Sequence, residues 1–241
     1  CFWAMKSDGE LTEQDIVDYC RLHQIKAIIP TRDAELPFFS RIAPLLGQHG
    51  TMVMTAPTQS GMVCSDKLLF SKQAAELTTI STIPTVTDIK QLHASRLVVK
   101  ERYGAGSQNI GINLTRTAAL RHATALVHPV FQPFISGTEY SIDLYVDMQG
   151  RCRGVVARTR DLVVQGESQI STTVRHHQLE EQCTALARHL NLRGHLVFQA
   201  IEDSQGAIHF IECNCRFGGA STLAIAVGLD SFYWFFLECI G

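Results

Sequence analysis

Residues 210–219 read Phe-Ile-Glu-Cys-Asn-Cys-Arg-Phe-Gly-Gly and carry the strongest local signal in the sequence. The stretch predicts a strand, and in a strand Glu212, Asn214 and Arg216 point to the same side. Carboxylate and amide oxygens are ligands that Mg²⁺ prefers, and Mg²⁺ in turn binds nucleotide phosphates. An arginine can neutralise the negative charge of a transferred phosphoryl group. These residues therefore predict a phosphate and metal site. The alternative is a polar strand edge on which Glu212 only pairs with Arg216.

The sequence just before this stretch predicts a neighbouring strand. Residues 195–202 and 207–214 indicate two strands joined by a short turn, which favours an antiparallel hairpin. In such a hairpin Gln199 lies close enough to Glu212 to supply a further oxygen, unless it is a purely structural glutamine. Other predicted elements of this part are strands at 130–135, 138–147 and 151–160, an irregular stretch at 161–168 and a helix at 177–190.

The first half of the chain alternates strands and helices. Apolar strands at 26–30 and 51–54 flank a helix over 36–46, a rhythm that predicts a parallel sheet with a right-handed crossover. Further helices are predicted at 65–77 and 115–127, and further strands at 97–100 and 110–112. Parallel units followed by antiparallel hairpins predict a mixed α/β chain of the α+β type. The three parts expected are 1–62, 63–128 and 129–241.

A glycine-bearing loop at residues 101–109 joins the two middle strands. Gly104 and Gly106 let the backbone approach a ligand closely, and Ser107 with exposed N–H groups can donate to phosphate. No Lys-Ser or Lys-Thr pair follows the glycines, and Gly111 comes too late for a dinucleotide fingerprint. Taken alone, the loop is equally compatible with a plain glycine-rich hairpin.

Two lysines stand where phosphate ligands would be useful. Lys100 ends the apolar strand before the glycine loop, and Lys67 follows Asp66 at the start of a predicted helix. Each ammonium could contact a phosphate oxygen. An ordinary strand-end lysine and a solvated surface lysine are the alternatives.

Composition and charge exclude several classes of protein. The chain has 241 residues, 46% of them hydrophobic, and a net charge of −2, with no run of Lys or Arg. We therefore expect no nucleic-acid partner and no membrane partner. No apolar stretch reaches the roughly 20 residues of a membrane span. The apolar stretch at 232–237 indicates a buried helix or a subunit contact, so the sequence allows a homodimer.

The cysteines and the first residue bear on compartment and completeness. Eight cysteines without paired spacing favour a reduced, cytoplasmic protein and argue against a zinc site. The chain opens at Cys1, with neither an initiator Met nor a signal peptide, which indicates a fragment or a trimmed form of a longer protein.

Taken in order, these pieces resemble the ATP-grasp superfamily, and within it the carbamoyl-phosphate-synthase-like branch. The resemblance covers roughly residues 60–230. Residues 30–36 are similar to the end of a pre-ATP-grasp domain whose first β-α unit is missing. The matching pieces are Asp66-Lys67, Val99-Lys100, the loop at 104–107, the segments 131–135 and 137–140, and finally Gln199 with Glu212, Asn214 and Arg216. The resemblance implies an ATP-grasp fold preceded by a truncated parallel β-α domain.

The resemblance also implies a chemistry. It is that of an ATP- and Mg²⁺-dependent ligase, which activates a carboxylate as an acyl phosphate for attack by an amine or similar nucleophile. The implied metal ligands are Gln199, Glu212 and Asn214, for one or two Mg²⁺ ions or for Mn²⁺, and Arg216 would contact the γ-phosphate and the acyl phosphate. The implied ATP-binding residues are Lys67, Lys100, Gly104, Ala105, Gly106, Ser107, Gln132, Pro133, Phe134 and Ile135, with Glu139 on the ribose.

Three positions depart from the family pattern. Cys215 stands where proline is usual, which predicts a looser turn with intact ligands. Gln199 stands where an acid is common, which leaves the metal site one negative charge poorer. Gln132 replaces a glutamate in the adenine strand and can still present an amide oxygen.

The substrate pocket is less defined by the sequence. Arg158 and Arg160 share a strand face and could grip a carboxylate, Arg158 as a catalytic group, with Glu167 and Ser168 beside them; a solvated basic edge is the alternative. Asp33 and Glu35 are expected at the entrance. Amino acids, peptides, bicarbonate and small metabolic acids all stay open as substrates.

Two other functions are compatible with parts of the pattern. One is a catalytically silent ATP-binding regulatory module, against which Glu212, Asn214 and Arg216 argue because binding alone needs fewer of them. The other is a redox domain with a nucleotide cofactor, against which the late Gly111 argues.

Overall fold

The computed structural model describes residues 12–104, 109–164 and 166–241, apart from the side chain of residue 167. The strands are β1 (Ala27–Ile28), β2 (Met52–Val53), β3 (Ser81–Thr82), β4 (Leu97–Glu101), β5 (Gly111–Leu114), β6 (Pro129–Pro133), β7 (Gly137–Val146), β8 (Cys152–Val164), β9 (Glu167–Val174), β10 (Gly194–Asp203) and β11 (Ile208–Asn214). The α-helices are α1 (Glu13–Leu22), α2 (Leu36–Gln48), α3 (Thr58–Ser65), α4 (Lys67–Ala74), α5 (Arg116–Ala123), α6 (His177–His189), α7 (Thr222–Ala226) and α8 (Ser231–Ile240).

The main sheet has six strands in the order β3-β11-β10-β7-β8-β9. Neighbouring strands are antiparallel, except that β11 pairs with β3 in parallel. Helix α6 covers one face, where Leu179 and Leu186 pack with Leu144. Helix α8 covers the other face, where Phe235 packs with Tyr145. Because both faces are covered, the central strands are buried on both sides rather than alternating between core and solvent.

A second sheet of three antiparallel strands, β5-β4-β6, stands beside the main one. Its own small core contains Leu97 and Val99 of β4, which pack with Ala119 of α5. Side chains alternate along a strand, so Lys100 lies on the opposite side of β4 from Val99. Lys100 therefore points away from the small core.

The first part of the chain confirms the predicted β-α-β unit. Strands β1 and β2 pair in parallel, with α2 between them in sequence. Ile42 and Leu46 of α2 pack with Ile16 and Val17 of α1. Together with the antiparallel hairpins, this unit confirms the predicted mixed α/β class. The boundaries at 62 and 128 stay predictions.

The single helix predicted over 65–77 is wrong. Helix α3 ends at Ser65 and α4 begins at Lys67, with Asp66 in an extended conformation between them. The Asp66 carboxylate accepts from the backbone N–H groups of Leu68 and Leu69, at 3.0 and 3.2 Å. An aspartate in this position caps a new helix instead of continuing the old one.

The irregular stretch predicted at 161–168 is also wrong, because β8 runs on to Val164 and pairs with β9. Asp161 suggested a loop, but its carboxylate accepts from the hydroxyls of Thr159 and Thr172, at 2.7 and 2.6 Å. Those bonds satisfy a polar group within the ladder. Gly166 turns the chain with a φ of 80°, which a residue with a side chain rarely adopts.

Among the described residues, no single helix is long and apolar enough to cross a bilayer. The segments Gly219–Ala226 and Ser231–Ile240 are long and apolar enough only when taken together, and they are bent by 83° relative to each other.

Candidate active site

Two lysines and one glutamate meet between the two sheets. The Lys67 and Lys100 ammonium nitrogens lie 4.0 and 3.9 Å from Oε2 of Glu212. Lys67 opens α4, Lys100 lies in β4 and Glu212 lies in β11, so three separate elements supply the cluster. The lysine side chains are only 10% and 9% exposed, which excludes the solvated surface lysine considered for Lys67.

The cluster carries an excess of positive charge in a poorly hydrated place. Burial lowers the pKa of Lys100, Glu212 acts to raise it and Lys67 to lower it, and the net result is a pKa below the ordinary value. Two ammonium groups share one carboxylate, so an added anion would improve the charge balance. The geometry therefore favours a bound phosphate chain.

The position of Lys67 is fixed by a residue that the sequence did not single out. Arg102 donates through Nε to Asp66 at 2.8 Å, and its carbonyl accepts from the Lys67 backbone N–H at 3.1 Å. Asp66 is the N-cap of α4, so Arg102 joins the end of β4 to the start of that helix. The Lys67 ammonium also donates to the carbonyl of Gly104 at 2.6 Å, which links it to the glycine loop. Ala105, Gly106 and Ser107 lie outside the described residues.

Three oxygen-bearing side chains of the main sheet stand together. Gln199 of β10 is the direct partner of Glu212 in β11, and Asn214 lies two residues further along. All three line one cavity. Cys213 and Cys215, which alternate with Glu212 and Asn214 in sequence, are buried, as strand alternation requires. One carboxylate and two amide oxygens form a hard donor set that fits Mg²⁺ or Mn²⁺ in chemical type.

The cavity that these residues share has a volume of about 650 Å³. That volume lies within the usual range for small-molecule sites. Three arginines and one glutamate contribute to its wall, so an anionic occupant would find guanidinium groups to contact, although each of these arginines also pairs with a carboxylate of the protein. The ionic and polar side chains of the wall include Ser141, Arg158, Arg160, Ser168, Gln169, Ser171, Gln199, Glu212, Asn214, Arg216 and Thr222.

Arg216 is held by the first part of the chain. Its Nε and Nη2 donate to the two oxygens of Asp33, at 2.8 and 2.6 Å. Glu212 contacts the lysines, and Arg216 contacts Asp33, so the simple Glu212–Arg216 pair considered for this strand is not formed. Glu35, expected beside Asp33, instead pairs with Arg32.

Arg158 belongs to a buried polar network. Its Nε donates to Asp143 at 2.9 Å, while His195 and Ser221 contact the other oxygen of that carboxylate. Burial by itself raises the pKa of Asp143, but hydrogen bonding and charge from His195, Arg158 and Ser221 together hold it below the ordinary value. Arg158 is 3% exposed, so the solvated basic edge is wrong for this residue. Alternation along 138–147 places Asp143 opposite the apolar face, a signal that the sequence carried.

Arg160 is buried too, with its side chain 5% exposed. It donates to Glu139 at 2.6 Å and to the carbonyl of Gly166 at 2.7 Å. Its Nε is buried without a hydrogen-bond partner among the described residues. Ser168 lies near Ser171, with 2.8 Å between the hydroxyl oxygens, and the side chain of Glu167 lies outside the described residues.

The predicted adenine strand is β6, which ends at Pro133; Phe134 and Ile135 follow it and are half-buried. Gln132 is 2% exposed, and its amide nitrogen donates to the hydroxyl of Thr85 at 2.7 Å. The backbone N–H of Phe134 donates to the carbonyl of Arg96. Two of the groups that the sequence predicted to recognise adenine, the Gln132 amide and the Phe134 backbone N–H, thus already donate hydrogen bonds within the protein.

The arrangement of two sheets around a lysine-rich cleft is the ATP-grasp fold. Solved structures with this architecture include the biotin carboxylase domain of Hydrogenobacter thermophilus 2-oxoglutarate carboxylase, with MgADP, ADP and bicarbonate (TM-score 0.75, 16% identity, 95% of this chain and 56% of that chain). Campylobacter jejuni biotin carboxylase in an ATP complex is similar (TM-score 0.71, 15% identity, 92% of this chain and 56% of that chain). L-amino acid ligase from Bacillus licheniformis is also similar (TM-score 0.64, 17% identity, 88% of this chain and 55% of that chain).

Residues 126–241 match a family model described as "ATP-grasp in the biosynthetic pathway with Ter operon". The family model covers just under half of the chain, and together with the shared fold this match supports the ATP-grasp superfamily that the sequence predicted. No curated protein sequence matches the chain significantly. The chain spans about half the length of the biotin carboxylase structures that it resembles. The carbamoyl-phosphate-synthase-like branch stays a prediction.

Proposed function

We propose that this chain is the ATP-using part of a ligase that activates a carboxylate as an acyl phosphate, which an amine or similar nucleophile then attacks. The observation that carries the proposal is the meeting of Lys67, Lys100 and Glu212 beside an arginine-walled cavity. Superfamily membership and nucleotide-bound neighbours support ATP as the phosphoryl donor.

In this proposal the two lysines bind phosphate oxygens. Their separations from Glu212, 3.9 and 4.0 Å, exceed hydrogen-bond distance, so the pairs can part when a triphosphate arrives. Charge neutralisation and positioning then account for most of the expected acceleration, as in other phosphoryl transfers. Gly104 and the rest of its loop would cover the phosphates.

Gln199, Glu212 and Asn214 would hold one or two Mg²⁺ ions. Mg²⁺, when bound, supplies positive charge to the phosphate oxygens of ATP. The donor set fits this ion in type, and the neutral Gln199 makes it weaker than a set with two acids. The side chains themselves orient the phosphates toward the cavity that Arg216 borders.

The acid substrate would occupy the 650 Å³ cavity. Arg216, steadied by Asp33, would contact the γ-phosphate and then the acyl phosphate. Arg158, steadied by Asp143, and Arg160 would face the carboxylate. Amino acids, peptides, bicarbonate and other small acids are the substrate classes to test, since the matched structures include carboxylases and an amino acid ligase.

The test is release of phosphate and ADP from MgATP in the presence of a panel of such acids, each with and without ammonia or an amine. We expect turnover that requires one acid and that falls at least a hundredfold in Glu212→Gln. Glu76→Gln makes the same chemical change at a side chain that is 69% exposed and should retain full activity. Equal turnover in both variants would contradict the proposal.

A catalytically silent ATP-binding module is the second candidate, and the neutral Gln199 at a position where related enzymes often have an acid is the observation that favours it. Such a module would show ATP-induced thermal stabilisation without turnover of any acid in the panel.

The described cysteines are free, which supports the cytoplasmic setting that we propose for either function.

A further inference from the structure

Three cysteines on the far side of β11 form a cluster that the proposed chemistry does not use. The Sγ atoms of Cys64, Cys213 and Cys215 all lie within 4.8 Å of one another. Cys64 lies in α3, Cys213 lies in β11 and Cys215 directly follows the last residue of that strand. The three are only 6%, 3% and 5% exposed. The fold therefore brings together thiols that are far apart in sequence.

The spacing of the sulfur atoms is close to that of a metal-thiolate centre. A Zn–S bond of about 2.3 Å places sulfur ligands of a trigonal or tetrahedral site roughly 3.8–4.0 Å apart. Separations of up to 4.8 Å need a contraction of about 1 Å or less, which small side-chain rotations supply. Three thiolates are soft donors and select a different class of metal from the oxygen ligands on the opposite face.

A fourth coordination position is also available. All three cysteines line a second cavity of about 90 Å³, which has room for a water molecule and which Lys67, Glu212 and Asn214 also border. Asp33 lines the same cavity, but both of its carboxylate oxygens are bonded to Arg216. An ion held by the three sulfurs would thus have one position open toward the cavity.

The geometry points to a binding site for one thiophilic d¹⁰ metal ion, Zn²⁺ or Cu(I), on the sulfur atoms of Cys64, Cys213 and Cys215, whose thiol protons would be released to solvent as the metal–sulfur bonds form. Such an ion would cross-link α3 to the strand that carries Glu212 and Asn214. The inference does not depend on the proposed ligase activity. The sequence argued against a zinc site because it showed no paired spacing, whereas the third ligand comes from a distant helix.

The first experiment measures metal in the full chain. The protein is reduced, freed of metal with a chelator, incubated with Zn²⁺ or with Cu(I) in separate arms, and desalted before elemental analysis. We expect one ion per chain in at least one arm. Substitution of Cd²⁺ should give an ultraviolet thiolate-to-metal band. No retained ion in either arm, or no such band, would overturn the inference.

The second experiment assigns the ligands. Cys64→Ser and the double variant Cys213→Ser/Cys215→Ser should each weaken binding at least tenfold. Cys183→Ser changes another buried cysteine and should bind as the unaltered chain does. Glu212→Gln leaves all three sulfur ligands in place and should bind the ion within twofold of the unaltered chain. Loss in Glu212→Gln with retention in the cysteine variants would show that the ion sits on the oxygen ligands and would refute the assignment.

A measurement on the unaltered chain covers the case in which a cysteine variant fails to fold. Alkylation of each cysteine is followed by mass spectrometry under partly denaturing conditions, with and without the bound ion. The ion should slow alkylation of Cys64, Cys213 and Cys215 at least tenfold relative to Cys183. Equal rates at all four positions with the ion present would count against the site.

Discussion

Replacing Lys100 by methionine should separate ATP binding from stability. The ammonium of Lys100 lies 3.9 Å from Glu212, and its pKa is lowered by burial and by the nearby Lys67. Methionine fills nearly the same space without the charge. It leaves Lys67 and Glu212 as a balanced pair, 4.0 Å apart.

The expected changes have opposite signs. A hydrogen bond to a charged group contributes about 1.5–3 kcal/mol, so loss of one phosphate contact should weaken ATP binding about tenfold to 150-fold. Removal of a buried excess charge is often neutral or stabilising, so the free energy of unfolding should stay equal or rise by roughly 0–1 kcal/mol. A variant that is as stable as the parent but binds ATP poorly would match both expectations.

Calorimetric titration with MgATP and urea unfolding measure the two quantities. Lys72→Met serves as the control, because Lys72 lies on the exposed side of α4 and should change neither. Binding of ATP within twofold of the parent would refute the role of Lys100 in the phosphate site. A loss of several kcal/mol in stability would refute the claim that the cluster has surplus positive charge.

Three further predictions concern the surroundings of this cluster. Gln199→Glu adds a second carboxylate to the donor set and should tighten Mn²⁺ binding about tenfold, as electron paramagnetic resonance would show, whereas Gln205→Glu in an exposed turn should not. Asp143 has a lowered pKa in the folded chain, so its contribution to the free energy of unfolding is complete above its ordinary pKa of about 3.8 and is lost as the pH falls through the folded value. In urea unfolding, Asp143→Asn should therefore reduce the loss of stability that the parent shows as the pH is lowered. An unchanged loss of stability at low pH would exclude this contribution. Arg102→Ala removes the partner of the α4 cap and should cost about 1–2 kcal/mol in urea unfolding, and a cost no larger than that of the exposed Arg121→Ala would show that the Asp66 contact contributes nothing.

Local patterns predicted much of the framework. The alternation at 210–216 placed Glu212 and Asn214 on one side of a strand, and the hairpin signal placed Gln199 beside Glu212, as the register shows. Period and spacing suffice for such features because they depend on neighbours in sequence or on a single turn.

Contacts between distant segments escaped the sequence. Asp33 and Arg216 are 183 positions apart, and only the assembled fold brings them together. The same holds for Cys64 with Cys213 and Cys215. Asp66 misled the helix prediction in a different way: a single capping side chain outweighed the helical pattern on either side of it.

The most direct test of the account is an experimental structure with Mg²⁺ and a non-hydrolysable ATP analogue. We expect phosphate oxygens within hydrogen-bond distance of the Lys67 and Lys100 ammonium groups, with the ion on Glu212 and Asn214. A nucleotide bound elsewhere, with both lysines still facing Glu212 and no phosphate between them, would contradict it.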